Sequence, residues 1–216
     1  MTESHPTPMP AVPASIWACG PTDVPEPGQL WPTEVLRRAI IEFSHPAARV
    51  QLLAATATHQ LTARRAATDL ADTGREITTR ALTNSPATRG EADLILASLL
   101  PDPEHPYSPD IHTRLGFAAA DQLRGGAILA VLTRCTHTPT GILHDPTGAV
   151  VTAAQAADLL YFAHIVAAPI KNDTIATPEA AEPREREPRH LVVHTDLTVF
   201  LRPEDQHPAA ALDPAA

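Results

Sequence analysis

Apolar residues recur at helical spacing in four parts of the chain. In the first part, the spacing from Val35 to Phe43 predicts a helix, and Thr33 is a candidate for its N-cap. The other three predicted helices are 60–73, which ends before Gly74, a helix from Ser108 to the pair Gly125-Gly126, and a helix from the capping box Thr152-x-x-Gln155 to Leu160.

Short apolar runs lie between these helices and predict strands. The runs are 49–55, 92–98, 127–133 and 162–168, and the more polar segment 75–82 predicts a further strand. Residues 127–133 are continuously apolar, which is typical of a strand covered on both faces. The last stretch, 190–201, has two apolar runs and predicts a hairpin or one long bent strand. This alternation of strands and helices predicts an α/β fold with three layers.

Prolines mark the ends of the predicted domain. Residues 1–14 and 204–216 are rich in proline and predict two disordered tails. Residues 172–189 combine three prolines with a run of charges and predict a long exposed loop. We therefore expect one domain, 15–203.

Composition and charge exclude several classes of protein. The chain has 216 residues with 23 prolines, 9 glycines and only 4% aromatic residues, so it is not collagen-like, disulfide-rich or a coiled coil. Its net charge of -9 disfavours DNA as a partner. The sequence shows no apolar run of about 18 residues and no secretory signal, so we expect a cytoplasmic protein without a membrane anchor. Cys19 and Cys135 are expected to be free thiols.

Histidine and cysteine spacing does not predict a metal site. His190 and His194 could chelate a metal ion from a helix, but on a strand four residues span about 13 Å, too far for one zinc ion. Cys135 and His137 could form a nucleophile and base with Asp145 as the orienting acid. Turn formation is the more common role for an acid such as Asp145, so this alternative is not favoured.

Other polar and aromatic residues admit both a structural and a functional interpretation. Asp93 opens a buried strand, where a structural role is favoured. Arg64 and Arg65, joined by Arg37 and Arg38, could contact an anion, but a solvated helix face is favoured. Three aromatic residues could serve interfaces: Trp17, Trp31 and Tyr107.

The order of several segments resembles a known family. The most specific segment is Leu-Arg-Gly-Gly-Ala-Ile-Leu-Ala-Val at 123–131, followed by Leu-x-Asp-x-x-Gly-Ala-Val at 143–150 and by the closing segment 195–203. In this order they resemble the S-adenosylmethionine-dependent DNA amino-methyltransferases of the N4-cytosine/N6-adenine type. The resemblance covers about residues 15–203. It implies a three-layer Rossmann-like methyltransferase sheet, truncated to about six strands, with a terminal antiparallel β element.

The cofactor turn departs from the family pattern. The family has an acid, a proline and a glycine-rich turn after its first strand, which lets the backbone approach the cofactor. Here residues 54–59 read Ala-Ala-Thr-Ala-Thr-His, without glycine. The family's acid for the ribose hydroxyls is missing from 77–80. The corresponding cofactor cleft would be Ala54, Ala55, Thr56 and Ser98, and we expect no S-adenosylmethionine there unless the protein is a divergent enzyme.

The catalytic signature is also incomplete. The family uses Asp, Asn or Ser followed by Pro-Pro and an aromatic residue that stacks on the flipped base. This chain has the remnant Ser98, Leu99, Leu100 and Pro101, which keeps the serine and lacks the ring. The stretch between residues 82 and 92 is also too short for the family's usual helix and third strand.

Taken together, these losses predict a methyltransferase-fold protein without catalysis. It would act as a binding, regulatory or partner subunit, with a protein partner or a second copy of itself. Two alternatives remain open. One is a divergent S-adenosylmethionine-dependent methyltransferase acting on DNA or a small molecule, and the other is a nucleic-acid-binding module. An open cleft beyond Ala55 and Ser98 would favour the enzyme, and a filled one the binding protein.

Overall fold

A computed structural model describes residues 15–20, 28–82, 90–102, 107–137, 142–172, 174–175 and 193–204. Within these ranges the helices are α1 (Thr33–Phe43), α2 (Ala57–Asp69), α3 (Ile111–Gln122) and α4 (Thr147–Ala156), with a short 3-10 turn at Ala71–Thr73. The strands are β1 (Ile16–Cys19), β2 (Arg49–Ala54), β3 (Glu76–Ala81), β4 (Ala92–Ser98), β5 (Leu123–Thr133), β6 (Thr136–His137), β7 (Leu143–His144), β8 (Leu160–Lys171), β9 (Thr174–Ile175) and β10 (Thr195–Leu201).

One sheet organises the molecule, with strand order β1-β8-β10-β5-β4-β2-β3 and β9 paired to β8. Strands β2, β3, β4 and β5 run parallel, and β10 is antiparallel to both of its neighbours. The prediction of a Rossmann-like sheet with a terminal antiparallel strand is confirmed. The predicted count of about six strands is too low, because β1 adds a further strand in parallel beside β8.

Alternate residues of the central strands face two different apolar cores, as the pleat of a strand requires. Leu94 and Leu96 of β4 belong to the core beneath α1 and α2. The alternate residues Ile95 and Ala97 belong to the core beneath α3 and α4. The sheet is thus the middle of three layers, and both of its faces are covered.

The edge strand β1 contributes an aromatic residue to the first core. The Trp17 side chain is 2% exposed, stacks on Phe43 of α1 and lies beneath the guanidinium of Arg38, 4.7 Å from the ring centroid. Trp31, before α1, is buried in the same core. The interpretation of Trp17 and Trp31 as interface residues is therefore wrong, because both rings are covered by the chain itself.

All four predicted helix starts differ from the observed ones, and α2 begins at Ala57 where residue 60 was predicted. Helix α1 begins at Thr33 itself, and its N-cap is Pro32, without a side-chain hydrogen bond. Helix α4 begins at Thr147, before the predicted capping box at Thr152. Asp145 accepts a hydrogen bond of 2.9 Å from the Thr147 backbone N–H, which fixes the start of α4 at that point and leaves Thr152 inside the helix.

Helix α3 is shorter than predicted at both ends. It begins at Ile111, after the N-cap Asp110, and not at Ser108. It ends at Gln122, and β5 starts directly at Leu123 because that residue already pairs with Ala92 of β4. The predicted glycine stop at 125–126 therefore lies within a strand.

Helices α3 and α4 pack closely at one glycine. A Cβ atom on Gly116 of α3 would lie 2.8 Å from the backbone oxygen of Ala153 in α4. This contact requires the absence of a side chain.

The predicted loop and tails are described only in small part. Within 172–189, Thr174–Ile175 forms β9 and pairs antiparallel with β8, so the loop prediction is wrong at that point. Residues 1–14, 205–216 and the rest of that loop lie outside the described residues, and so do 190–192 of the predicted last element. The described part of that element is the single strand β10.

Candidate functional site

The carboxyl ends of β2 and β4 meet at the point where the strand order reverses, the usual ligand crevice of an α/β sheet. Ala54, the last residue of β2, is in register with Ser98, the last residue of β4. The structure thus brings the four predicted cleft residues together. Ala54, Ala55 and Ser98 are nevertheless 0%, 5% and 2% exposed and Thr56 is half-buried, so three of the four residues offer little surface to a ligand.

The Ser98 hydroxyl is engaged by the chain's own backbone. It donates a hydrogen bond of 2.5 Å to the carbonyl oxygen of Leu30, which precedes α1. Its oxygen also lies 3.4 Å from the backbone nitrogen of Leu100. A hydroxyl held in this way is not directed toward a substrate amino group.

The other remnant residues continue the sheet. The Leu99 N–H donates a hydrogen bond of 2.9 Å to the carbonyl oxygen of Leu132 in β5. The side chains of Leu99 and Leu100 are buried, one in each core. The segment that the family resemblance aligns with catalysis therefore packs as structure, with Pro101 half-buried at its end.

Helix α2 follows β2 after only Ala55 and Thr56. The Thr56 hydroxyl oxygen caps the helix by accepting a hydrogen bond of 3.1 Å from the His59 backbone N–H. This tight connection places the His59 side chain, 3% exposed, in the first turn of α2. From there it points toward the segment that follows β4.

A buried histidine and a half-buried acid connect α2 to the segment after β4. His59 Nε2 lies 2.8 Å from Asp102 Oδ2. The ring of Tyr107 meets the His59 imidazole edge-on, and its hydroxyl donates a hydrogen bond of 2.6 Å to the Leu100 carbonyl oxygen. Burial, and secondarily the charge of Asp102, raises the pKa of the Tyr107 hydroxyl above its ordinary range. Sequence reasoning missed His59 and Asp102, because His59 was assigned to the turn 54–59 before the predicted helix and no local pattern points to Asp102.

Two features that the family uses to hold S-adenosylmethionine are missing from the residues of this crevice. Every residue from 54 to 59 carries a Cβ atom, where the cofactor would require close backbone approach. The residues that end β3 and follow it are Arg80, Ala81 and Leu82, and none is an acid for the ribose hydroxyls. No catalytic step through this cofactor follows from these residues.

A second polar cluster surrounds Asp196 at the start of β10, and sequence reasoning missed its centre. Asp196 is 4% exposed. His164 Nε2 lies 2.9 Å from Oδ1, and His194 Nε2 lies 3.4 Å from Oδ2. The hydrogen bond to Asp196 raises the pKa of His194, against the opposing effect of burial. The two imidazoles contact different carboxylate oxygens.

The alternative of a cysteine nucleophile receives no support from its surroundings. Burial, followed by the negative charges of Asp145 and Asp196, raises the pKa of the Cys135 thiol. A reactive cysteine needs the opposite shift, because the thiolate is the nucleophile. Hydrogen bonds from Thr147 lower the pKa of Asp145, in keeping with its role at the start of α4.

Asp93 has the structural role that was favoured for it. Its Oδ2 accepts a hydrogen bond of 2.7 Å from the Arg49 backbone N–H, and its Oδ1 pairs with Arg124. Arg64 and Arg65 are exposed on α2. The sequence had predicted that placement for the two arginines.

The described parts of the chain hold neither a metal-binding cluster nor a membrane-spanning helix. Across those ranges, no group of three or more His, Cys, Asp and Glu side chains is placed to hold a metal ion. Of the helices whose bounds are given above, none has the length and apolar character to cross a membrane.

Comparisons with known proteins find likeness at the level of structure alone. No family model matches the sequence, and no curated protein matches it. A chain in the complex of the Haloferax volcanii Trm112 methyltransferase activator with a candidate methyltransferase is 14% identical to this one. That match covers 82% of this chain and 91% of the other, with a TM-score of 0.48.

Two further solved structures are similar. The geranyl diphosphate C-methyltransferase of Streptomyces coelicolor A3(2) is 10% identical over 78% of each chain, with a TM-score of 0.46. A TehB-like SAM-dependent methyltransferase of Corynebacterium glutamicum is 8% identical over 77% of this chain and 86% of that chain, with a TM-score of 0.41. None of the three is described as a DNA methyltransferase, and at these identities the likeness assigns no activity to this chain.

Proposed function

We propose that this protein is a methyltransferase-fold binding protein that does not transfer methyl groups and works as a partner or regulatory subunit. The observation that supports this most directly is the closure of the ligand crevice by the chain's own groups. On one side the Ser98 hydroxyl donates a hydrogen bond to the Leu30 carbonyl oxygen, and on the other the His59 imidazole contacts the Asp102 carboxylate.

Opening this crevice would be costly. A cofactor there would have to displace the segment at Leu30 and Trp31, which are 6% and 7% exposed, and separate the pair of His59 and Asp102. Leaving one buried polar group without its partner costs about 1–3 kcal/mol. The closed crevice is therefore a stable part of the fold in this proposal, and it acts as structure.

Two assays of the purified protein test the proposal. Calorimetry with S-adenosylmethionine should give no saturable heat, and incubation with the tritium-labelled cofactor and duplex DNA should leave the DNA unlabelled. Labelled DNA would overturn the proposal and establish the divergent enzyme. Retention on DNA that weakens steeply with salt, without labelling, would instead support the nucleic-acid-binding module.

For the partner, we propose a second copy of this chain, paired along the outer edge of β8. Within the described residues, β1 pairs only with 166–169 of β8, so 160–164 have β10 on one side alone. Leu160, Tyr161 and Phe162 in this stretch are 53%, 46% and 50% exposed. The stretch also has no acidic residue, so two copies could meet there antiparallel about a two-fold axis despite the net charge of -9.

A further inference from the structure

A cavity of about 410 Å³ lies where β4 and β5 end, on the α3 side of the sheet. Its walls come from the segment after β4, the start of α3, the end of β5 and the segment before α4. The closed crevice lies toward α1 and α2, so the two are separate. Asp102 belongs to both, because it lines this cavity and pairs with His59 of the crevice. A volume of this size is typical of sites for small organic ligands.

Much of the cavity wall is apolar. Leu99 and Ile111, 5% and 3% exposed, are core residues that present one side to the cavity, and Pro101 lies beside them. These side chains are held by the core beneath α3 and α4. A flat or branched apolar group of a ligand would gain favourable burial against this preformed surface.

Arg134 places a cation in the same wall. It is 8% exposed, and its Nη2 donates a hydrogen bond of 3.1 Å to the Thr195 hydroxyl oxygen. Burial lowers the pKa of Arg134 to about 10, opposed in part by the charge of Asp196, so the guanidinium remains positive at neutral pH. A buried guanidinium favours a bidentate anionic group such as a carboxylate.

Two acids close to this part of the cavity have histidine contacts of their own. Asp196 contacts both His164 and His194. Asp102, the acid in the cavity lining, pairs with His59 at 2.8 Å. The remaining ionisable side chains of the wall include His112 and His144. Burial and the neighbouring His144 lower the pKa of His112, so His112 stays neutral at neutral pH and adds no competing charge.

We propose that this cavity binds a small organic carboxylate with an apolar body. The carboxylate lies against the guanidinium of Arg134, and the apolar body packs on Leu99, Pro101 and Ile111. Its proposed ligand contacts lie outside the cleft residues Ala54, Ala55, Thr56 and Ser98, although the cavity adjoins the crevice at Asp102 and includes the remnant residues Leu99 and Pro101. Carboxylate binding and methyl transfer are measured in different experiments, so the failure of one proposal does not decide the other.

The test uses phenylacetate and its neutral isostere phenylacetamide as probes of the full-length protein. Saturation-transfer NMR and titration of amide shifts should show saturable binding of phenylacetate, about tenfold or more tighter than that of phenylacetamide. Equal affinity for the two probes would overturn the proposal. So would the absence of saturable binding of phenylacetate up to about 10 mM.

Variants distinguish the contribution of the Arg134 guanidinium to binding from that of the cavity itself. R134Q should weaken phenylacetate binding about tenfold or more, and R134K should restore part of it. R64Q, which removes an exposed arginine on α2, should leave binding unchanged and is the matched control. S108W, at an exposed position in the lining, should block the cavity without disturbing the core, so it decides the question if R134Q does not fold. Phenylacetate binding that survives S108W unchanged would overturn the proposal.

Discussion

The Ser98 hydroxyl and the Leu30 carbonyl oxygen lie 2.5 Å apart, and this hydrogen bond ties the end of β4 to the segment that leads into α1. The two residues are 68 positions apart in the chain, and both are buried. The position at which the family resemblance would put a catalytic group therefore holds a link between two parts of the fold.

Substitution S98A should destabilise the protein by about 1–3 kcal/mol, because the buried Leu30 carbonyl loses its donor. Urea denaturation followed by circular dichroism measures the loss. S15A changes an exposed serine before β1 and should be nearly neutral. Equal stability of S98A and the unchanged protein would mean that this hydrogen bond does not hold the crevice closed.

The pair of His59 and Asp102 should show strong coupling. H59Q and D102N should each destabilise the protein by about 0.5–1.5 kcal/mol, since each weakens the 2.8 Å contact between the imidazole and the carboxylate. The double variant should lose clearly less unfolding free energy than the sum of the losses of the two single variants. A double-mutant cycle by urea denaturation measures this difference. Additive effects would contradict a direct contact between the two side chains.

Gly116 and Gly148 should respond in opposite ways to alanine. G116A should destabilise the protein by about 1–3 kcal/mol, because its new Cβ atom collides with the Ala153 backbone. G148A, in α4 with open space around it, should stabilise by about 0.5–1 kcal/mol through its higher helix propensity. Thermal unfolding shows whether each variant is less or more stable than the unchanged protein. A stable G116A would contradict the close packing of α3 on α4.

The His194 contact should stabilise the fold more at acidic than at alkaline pH. The pKa of His194 is raised by its hydrogen bond to Asp196, so its contribution is fully present below the unfolded pKa of about 6.5 and is lost as the pH rises through the higher folded pKa. The stability difference between the unchanged protein and H194N should therefore shrink on going from about pH 5.5 to pH 8.5. H45N, at an exposed histidine, is the control. A difference that grows with pH would contradict the contact.

The proposed pairing of two copies along β8 should depend on its exposed apolar residues. F162E should convert a dimer into a monomer, because two added carboxylates would oppose each other across the two-fold axis. I41E introduces the same charge at an apolar residue of α1 that is 56% exposed, and it should leave the dimer intact. Light scattering after size-exclusion chromatography measures both masses. A monomeric unchanged protein would refute the pairing.

The central strands were predictable from sequence because their signal is local. The apolar runs at 49–55 and 92–98 match β2 and β4 within one residue, since strands covered on both faces need apolar side chains in both directions. Helix starts were less predictable. Thr152 has the right partner at Gln155 for a capping box, but α4 already begins at Thr147, after the N-cap Pro146 and the hydrogen bond from the Thr147 N–H to Asp145.

The candidate site was predictable only as a location. The register of Ala54 with Ser98 follows from parallel strands that end together, so the predicted residues do meet. The groups that close the crevice did not follow from any local pattern. His59 and Asp102 are 43 positions apart, and their contact depends on the path of the chain after both strands, which periodicity does not encode.

The pairing of β1 with β8 also bears on the order in which the molecule assembles. Ile16 lies opposite Val166, so closing this contact spans most of the chain and carries a large loss of chain entropy. The β8 template must form before β1 can dock on it. Trp17 enters the core with that strand, so we expect its indole to be buried late in folding, which the time course of tryptophan fluorescence in refolding would measure.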